Sequence, residues 1–267
     1  MPKANVRGLN MYYEFSGEGG PLVFISGLGS DHKSWKMAQV PYFTAAGYKC
    51  LLLDNRDVGQ TDDSPVPIYT IKECAEDVSG LLHNLGIKQA HIIGASMGGR
   101  IAQELAINFP NLVRSLTLAC TSAIAEPITQ DRIASWKNAK IKFSLEEFYE
   151  MLGVWLFTYR FYENAEAVKL FKEVVRTNPY PQSSQSFLRQ CDAVMGHNTL
   201  DRLSHIIAPT HVIVGDEDIV NPLRQSRILA EKIRGAKLTI IPEAGHGVFL
   251  EKANDFNRGV LGFLKEH

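Results

Sequence analysis

The sequence has only four cysteines, Cys50, Cys74, Cys120 and Cys191, and no two of them form a Cys-x-x-Cys pair. All four lie in apolar stretches, which reads as buried reduced thiols and argues against a disulfide framework or a zinc site. No run of about 18 apolar residues is present, so no transmembrane helix is expected. The opening Met-Pro-Lys-Ala-Asn-Val-Arg7 has no apolar stretch behind it, so no secretory signal is expected and the chain reads as cytoplasmic. Excess charge is also lacking: 28 Lys plus Arg against 29 Asp plus Glu leave a formal net charge of −1. Without a basic run, neither nucleic acid nor a membrane surface is expected as a partner. Internal repeats and low-complexity stretches are absent as well.

What is present is a strand–helix rhythm in two blocks. Leu22–Ile25 and Cys50–Leu53 read as strands. The segment 71–85 carries Ile71, Cys74, Ala75, Val78, Leu81, Leu82 and Leu85 on one helical face, and Gly86 stands where a helix-ending glycine belongs. His91–Ile93 reads as a buried strand, 97–109 as a helix stopped by Pro110, and Leu116–Leu118 as the next strand. Continuous apolar strands alternating with helices imply a parallel sheet covered on both faces. Met11–Phe15 looks instead like an antiparallel edge strand leading in through Gly17-Glu-Gly-Gly20. From 123 to 205 strand signals vanish, helical ones persist, and aromatics gather at Trp155, Phe157, Tyr159, Phe161 and Tyr162. The rhythm then returns with strands at Val212–Val214 and Leu238–Ile241 and helices at 221–233 and 251–265. The expected organisation is a core over 1–122 and 206–267, split by a helical cap over 123–205.

Gly94-Ala95-Ser96-Met97-Gly98 fits Gly-x-Ser-x-Gly and falls between an apolar strand and a helix. A sharp turn there holds Ser96 in a strained conformation with its hydroxyl projecting, and small flanking residues are needed where backbones crowd. The following helix start adds partial positive charge near a developing oxyanion. Acyl transfer needs two N–H donors for that oxyanion. Met97, directly after Ser96, supplies one candidate. Leu28, in Ser26-Gly27-Leu28-Gly29 after an early strand, supplies the other. Ser96 is therefore the candidate nucleophile.

Of eight histidines, His83, His91, His211 and His267 sit where structural or solvated histidines are common. His246 differs, since it lies between Gly245 and Gly247 in a loop after the last strand, able to approach the serine as its base. The acid is sought after a late strand and before the histidine. Asp216, Glu217 and Asp218 compete there, and the pattern Gly-x-x-Asp from Gly215 favours Asp218.

These residues resemble the α/β-hydrolase superfamily over nearly the whole chain. Asp54-Asn55-Arg56-Asp57-Val58-Gly59 is similar to that family's Asp-x-Arg-Gly-x-Gly loop, and Gly245-His246 through Glu251 to its Gly-His-x4-Glu ending. Two positions depart from the pattern: Ser26 stands where the family often has His, and Asp57 where it often has Gly. Some relatives carry the acid after the strand ending near Cys120, but here no carboxylate occurs before Glu126. The resemblance implies a mostly parallel central sheet flanked by helices, with an inserted helical cap. Within the superfamily, 198–215 resembles the cap-to-core return of small capped bacterial carboxylesterases and 3-oxoadipate enol-lactonases. The implied activity is hydrolysis of a small carboxylic ester or lactone by a Ser-His-Asp triad, with no metal or organic cofactor. Carbon–carbon bond hydrolysis, perhydrolysis and a non-catalytic receptor remain open on the same fold. A Ser at position 96 argues against the haloalkane dehalogenases, which use Asp. The oligomeric state, a homodimer included, is left open.

Overall fold

The computed structural model describes residues 2–267. Its strands are β1 (Lys3–Val6), β2 (Leu9–Ser16), β3 (Gly20–Ile25), β4 (Tyr48–Leu53), β5 (Ala90–Ala95), β6 (Val113–Ala119), β7 (Thr210–Gly215) and β8 (Lys237–Ile241). They form one sheet in the order β1-β2-β4-β3-β5-β6-β7-β8. Pairing is antiparallel for β1 with β2 and β2 with β4, and parallel from β4 through β8. The parallel strands are apolar on both sides because both faces are covered: β5 and β7 are buried at every position.

The helices interleaved with these strands are α1 (Gln39–Ala45), α2 (Ile71–Asn84) and α3 (Met97–Asn108) in the first block. α2 begins at a capping box in which Thr70 and Glu73 satisfy each other's backbone N–H groups. It buries the stripe Ile71, Cys74, Ala75, Val78, Leu81 and Leu82. Between β6 and β7 lie only helices: α4 (Pro127–Lys142), α5 (Leu145–Leu156), α6 (Tyr159–Glu163), α7 (Ala165–Arg176) and α8 (Ser184–Met195). A single bridge between Ile124 and Asn198 ties the two ends of this stretch together. After β7 come α9 (Leu223–Lys232), α10 (Val248–Glu251) and α11 (Ala253–Leu264). None of the described helices is long and apolar enough to cross a membrane.

Two readings from sequence need correction. The strand at 11–15 is antiparallel, but β1 pairs outside it and takes the edge. β1 has four residues, of which only Val6 is buried, so it shows no apolar alternation to read. The closing helix is not continuous either: Lys252, at φ −123° and ψ 49°, leaves the helical region and separates α10 from α11.

Asp57 occupies a left-handed position, φ 70°, which accounts for the glycine usual there. Its carboxylate is buried and forms a two-pronged pair with Arg189 of α8, at 2.9 Å from Nε and 2.6 Å from Nη2. It also accepts the Ser64 N–H at 2.7 Å, and its carbonyl accepts from Gln182. The aspartate thus replaces conformational ease with a tie between the loop after β4 and the helices above. We expect Asp57→Gly to relieve about 1 kcal/mol of backbone strain yet lower stability by about 2 kcal/mol, because Arg189 is left without its partner. Arg189→Met added to Asp57→Gly should recover most of that loss in urea melts.

Candidate active site

The sheet order places β3 between β4 and β5: the chain runs from β3 to β4 on one side, then crosses back over β3 to β5 on the other. Ligands of open α/β sheets bind beyond the strands' carboxyl ends at such a reversal. Ser96 follows β5 there, Leu28 follows the adjacent β3, Asp218 follows β7 and His246 follows β8. With Met97 directly after Ser96, folding alone gathers all five residues picked from sequence at one sheet edge.

Ser96 adopts φ 54° and ψ −116°, a sparsely populated conformation for a residue with a side chain. The surroundings enforce it. Ser96 N–H donates to Ala119 O at 2.9 Å, Thr121 Oγ1 donates to Ser96 O at 2.6 Å, and α3 starts immediately after. A side chain at Gly98 would run into the Ile25 carbonyl, so the tight turn tolerates only glycine there.

His246 Nε2 lies 3.0 Å from Ser96 Oγ, and His246 Nδ1 lies 2.9 Å from Asp218 Oδ2. With Nδ1–H donating to the aspartate, Nε2 presents a lone pair that accepts the serine hydroxyl. Asp218 is buried, at 3% exposure, and its other oxygen accepts the N–H groups of Val220 and Asn221, both at 2.8 Å. Asp216 and Glu217 are exposed, and Glu217 instead pairs with Arg160 at 2.8 Å. Gly27 abuts the serine: a Cβ there would sit 3.3 Å from Ser96 Cβ. Among the described residues, no backbone acceptor takes up the Leu28 or Met97 N–H.

Glu251 fixes the histidine loop. Its carboxylate accepts Gly245 N–H at 2.9 Å and Thr158 N–H at 3.2 Å, as well as the Thr158 hydroxyl. Over the serine lies a cavity of about 500 Å³, lined by Leu28, Met97, Ile133, Leu152, Phe157, Phe161 and Phe187 together with Ser96 and His246. The aromatics at 155–162 do not share a helix, since α5 ends at Leu156 and Phe157 is extended. Phe157 and Phe161 stack, centroids 3.9 Å apart, and face the cavity. Trp155 instead packs on Trp136, and Tyr159 and Tyr162 are exposed.

A model of the alpha/beta hydrolase fold matches residues 20–253. The chain belongs to the α/β-hydrolase family. A relative from Mycobacterium tuberculosis, provisionally named non-heme bromoperoxidase BpoC, is 31% identical to this α/β-hydrolase over 263 residues, covering 96% of this chain and 98% of the relative. Its crystal structure superimposes with a TM-score of 0.88 over 96% of each chain. The enol-lactonase from Burkholderia xenovorans LB400 is 25% identical, with a TM-score of 0.88 over 99% of this chain and 100% of that one. The 2-hydroxy-6-oxo-6-phenylhexa-2,4-dienoate hydrolase of Comamonas testosteroni is 26% identical over 96% of this α/β-hydrolase and 91% of its own length.

Sequence reasoning missed four residues close to this site: Arg100, Ser122, Arg132 and Asn221. Arg100 is 2% exposed and donates to Val194 O at 2.7 Å and Ser122 Oγ at 2.8 Å. Arg132 donates to Val220 O at 2.6 Å with its guanidinium over the Trp155 ring. The signal for Arg100 was a cation on the largely apolar helix α3, one turn after Ser96.

Proposed function

We propose that this protein hydrolyses small carboxylic esters or lactones through an acyl-enzyme on Ser96. The observation that carries this reading is the unbroken hydrogen-bonded series Asp218–His246–Ser96 at the floor of an apolar cavity. Ser96 Oγ attacks the carbonyl carbon as His246 Nε2 takes its proton, and Asp218 stabilises the imidazolium that forms. The N–H groups of Leu28 and Met97 receive the oxyanion, the latter at the start of α3, where the helix adds partial positive charge. His246 returns the proton to the departing alcohol, then activates water against the acyl-enzyme. The helical stretch 123–205 acts as a cap that supplies the acyl pocket, held to the loop beneath by Asp57 and Arg189. Likeness to the Comamonas hydrolase supports a second reading, cleavage of a carbon–carbon bond beside a ketone with the same three residues.

A panel of p-nitrophenyl esters of rising acyl length, with simple lactones alongside, tests the reading. Turnover is expected for short esters, together with stoichiometric labelling by a fluorophosphonate. A protein that is neither labelled nor active on any member would overturn it. The same panel separates the aromatics. Phe161→Ala should move the preference toward bulkier acyl groups with little change in melting temperature, because the ring borders a void. Trp155→Ala should cost about 3 kcal/mol of stability and leave the preference unchanged. Equal selectivity in both variants would exclude Phe161 from the acyl pocket.

A further inference from the structure

Among the described residues, two arginines near the site have no carboxylate partner of the kind a buried guanidinium normally has. Arg100 bonds only to the Val194 carbonyl and the Ser122 hydroxyl, and burial lowers its pKa to about 10, so it stays charged at neutral pH. Arg132 bonds to the Val220 carbonyl; burial lowers its pKa too, while the Asp218 charge acts in the opposite direction. Burying an unpaired charge costs several kcal/mol, so mere filling of space would favour an apolar side chain at both positions.

Both arginines lead to the same carboxylate. Arg132 holds the carbonyl of Val220, which shares a peptide unit with Asn221 N–H, a donor to Asp218 Oδ1 at 2.8 Å. Arg100 donates to Ser122 Oγ, and Ser122 donates to Asn221 Oδ1 at 3.1 Å. Asn221 Nδ2 is also held by the Cys120 carbonyl at 2.8 Å, and Asn221 N–H donates to the same Asp218 Oδ1 at 2.8 Å. We propose that Arg100 and Arg132 are positioning residues for Asp218, Arg132 fixing the Asn221 amide through its peptide carbonyl and Arg100 through the Asn221 side chain, so that this amide holds Oδ1 and Oδ2 is aimed at His246. Arg132 comes from α4, so the helical layer over the cavity reaches the acid through the Val220–Asn221 peptide. This role rests on the Ser96–His246–Asp218 reading above.

The test is a double-mutant cycle on the purified full-length protein. Arg132→Met should lower kcat on p-nitrophenyl butyrate about tenfold with KM within about twofold, and slow fluorophosphonate labelling of Ser96 equally. In an Asp218→Asn background the same change should cost less than about twofold, because the residue it acts through no longer orients His246. Arg132→Lys should restore part of the rate. Ser122→Ala, a milder cut in the other arm, should give a smaller loss with the same dependence on Asp218, and serves if Arg132→Met fails to fold. Equal losses in both backgrounds would overturn the proposal in favour of a purely structural role. So would a loss confined to a mono-p-nitrophenyl ester of a dicarboxylic acid, which would make the guanidinium a contact to anionic substrate. Wild-type protein that is not labelled at all would instead sink the hydrolase reading beneath it.

Discussion

Replacing Ser96 with alanine is expected to cut kcat by roughly 10³-fold or more on any ester that the wild-type protein hydrolyses well. Among the described residues, the only hydroxyl hydrogen-bonded to His246 Nε2 is that of Ser96, at 3.0 Å. Alanine at this position keeps the strained turn, because Ser96 N–H is anchored to Ala119 O and its carbonyl to Thr121 Oγ1 by the backbone alone. Stability should therefore change by less than about 1 kcal/mol. Labelling by a fluorophosphonate, followed by peptide mapping, should find Ser96 in the wild-type protein and no residue in the variant. Near-normal turnover by the alanine variant would remove the acyl-enzyme from the mechanism.

Much of this site is legible in the sequence because its chemistry leaves local traces. The strand–turn–helix at Gly94–Gly98 marks the serine, and Gly245-His246-Gly247 marks a histidine on a short, crowded loop. Both depend on residues within a few positions, and the structure places them as their local context implies. The parallel strands are equally visible, since burial on both faces makes them continuously apolar. β1 was invisible for the opposite reason: an exposed four-residue edge strand has almost no apolar surface to display. The positioning network around Asp218 could not be read at all. Arg100, Ser122, Arg132 and Asn221 come from four separate segments and meet only once β6, β7 and α4 are packed. The aromatic group at 155–162 was visible as composition, but which of its rings face the cavity depends on the break after Leu156.

Asp218→Asn should lower kcat by about 10⁴-fold while leaving the fold intact, the scale seen when a triad histidine is held in the wrong tautomer. The geometry explains the sign. Asp218 Oδ1 accepts two backbone N–H groups, from Val220 and Asn221, so an asparagine will keep its oxygen on that side. Its amide NH₂ then faces His246 Nδ1, which must become the acceptor. The ring proton moves to Nε2 and points at Ser96, where a lone pair is needed to take the hydroxyl proton. KM should change little, because Asp218 lies behind the histidine and does not line the cavity. Asp216→Asn and Glu217→Gln should stay within about twofold of wild type, since both side chains are exposed and neither bonds to His246. Measuring kcat for the three variants side by side decides the assignment. Should Asp216→Asn be the crippling change while Asp218→Asn stays active, the acid would be misassigned, and the amide pair around residue 218 would serve only to shape the loop.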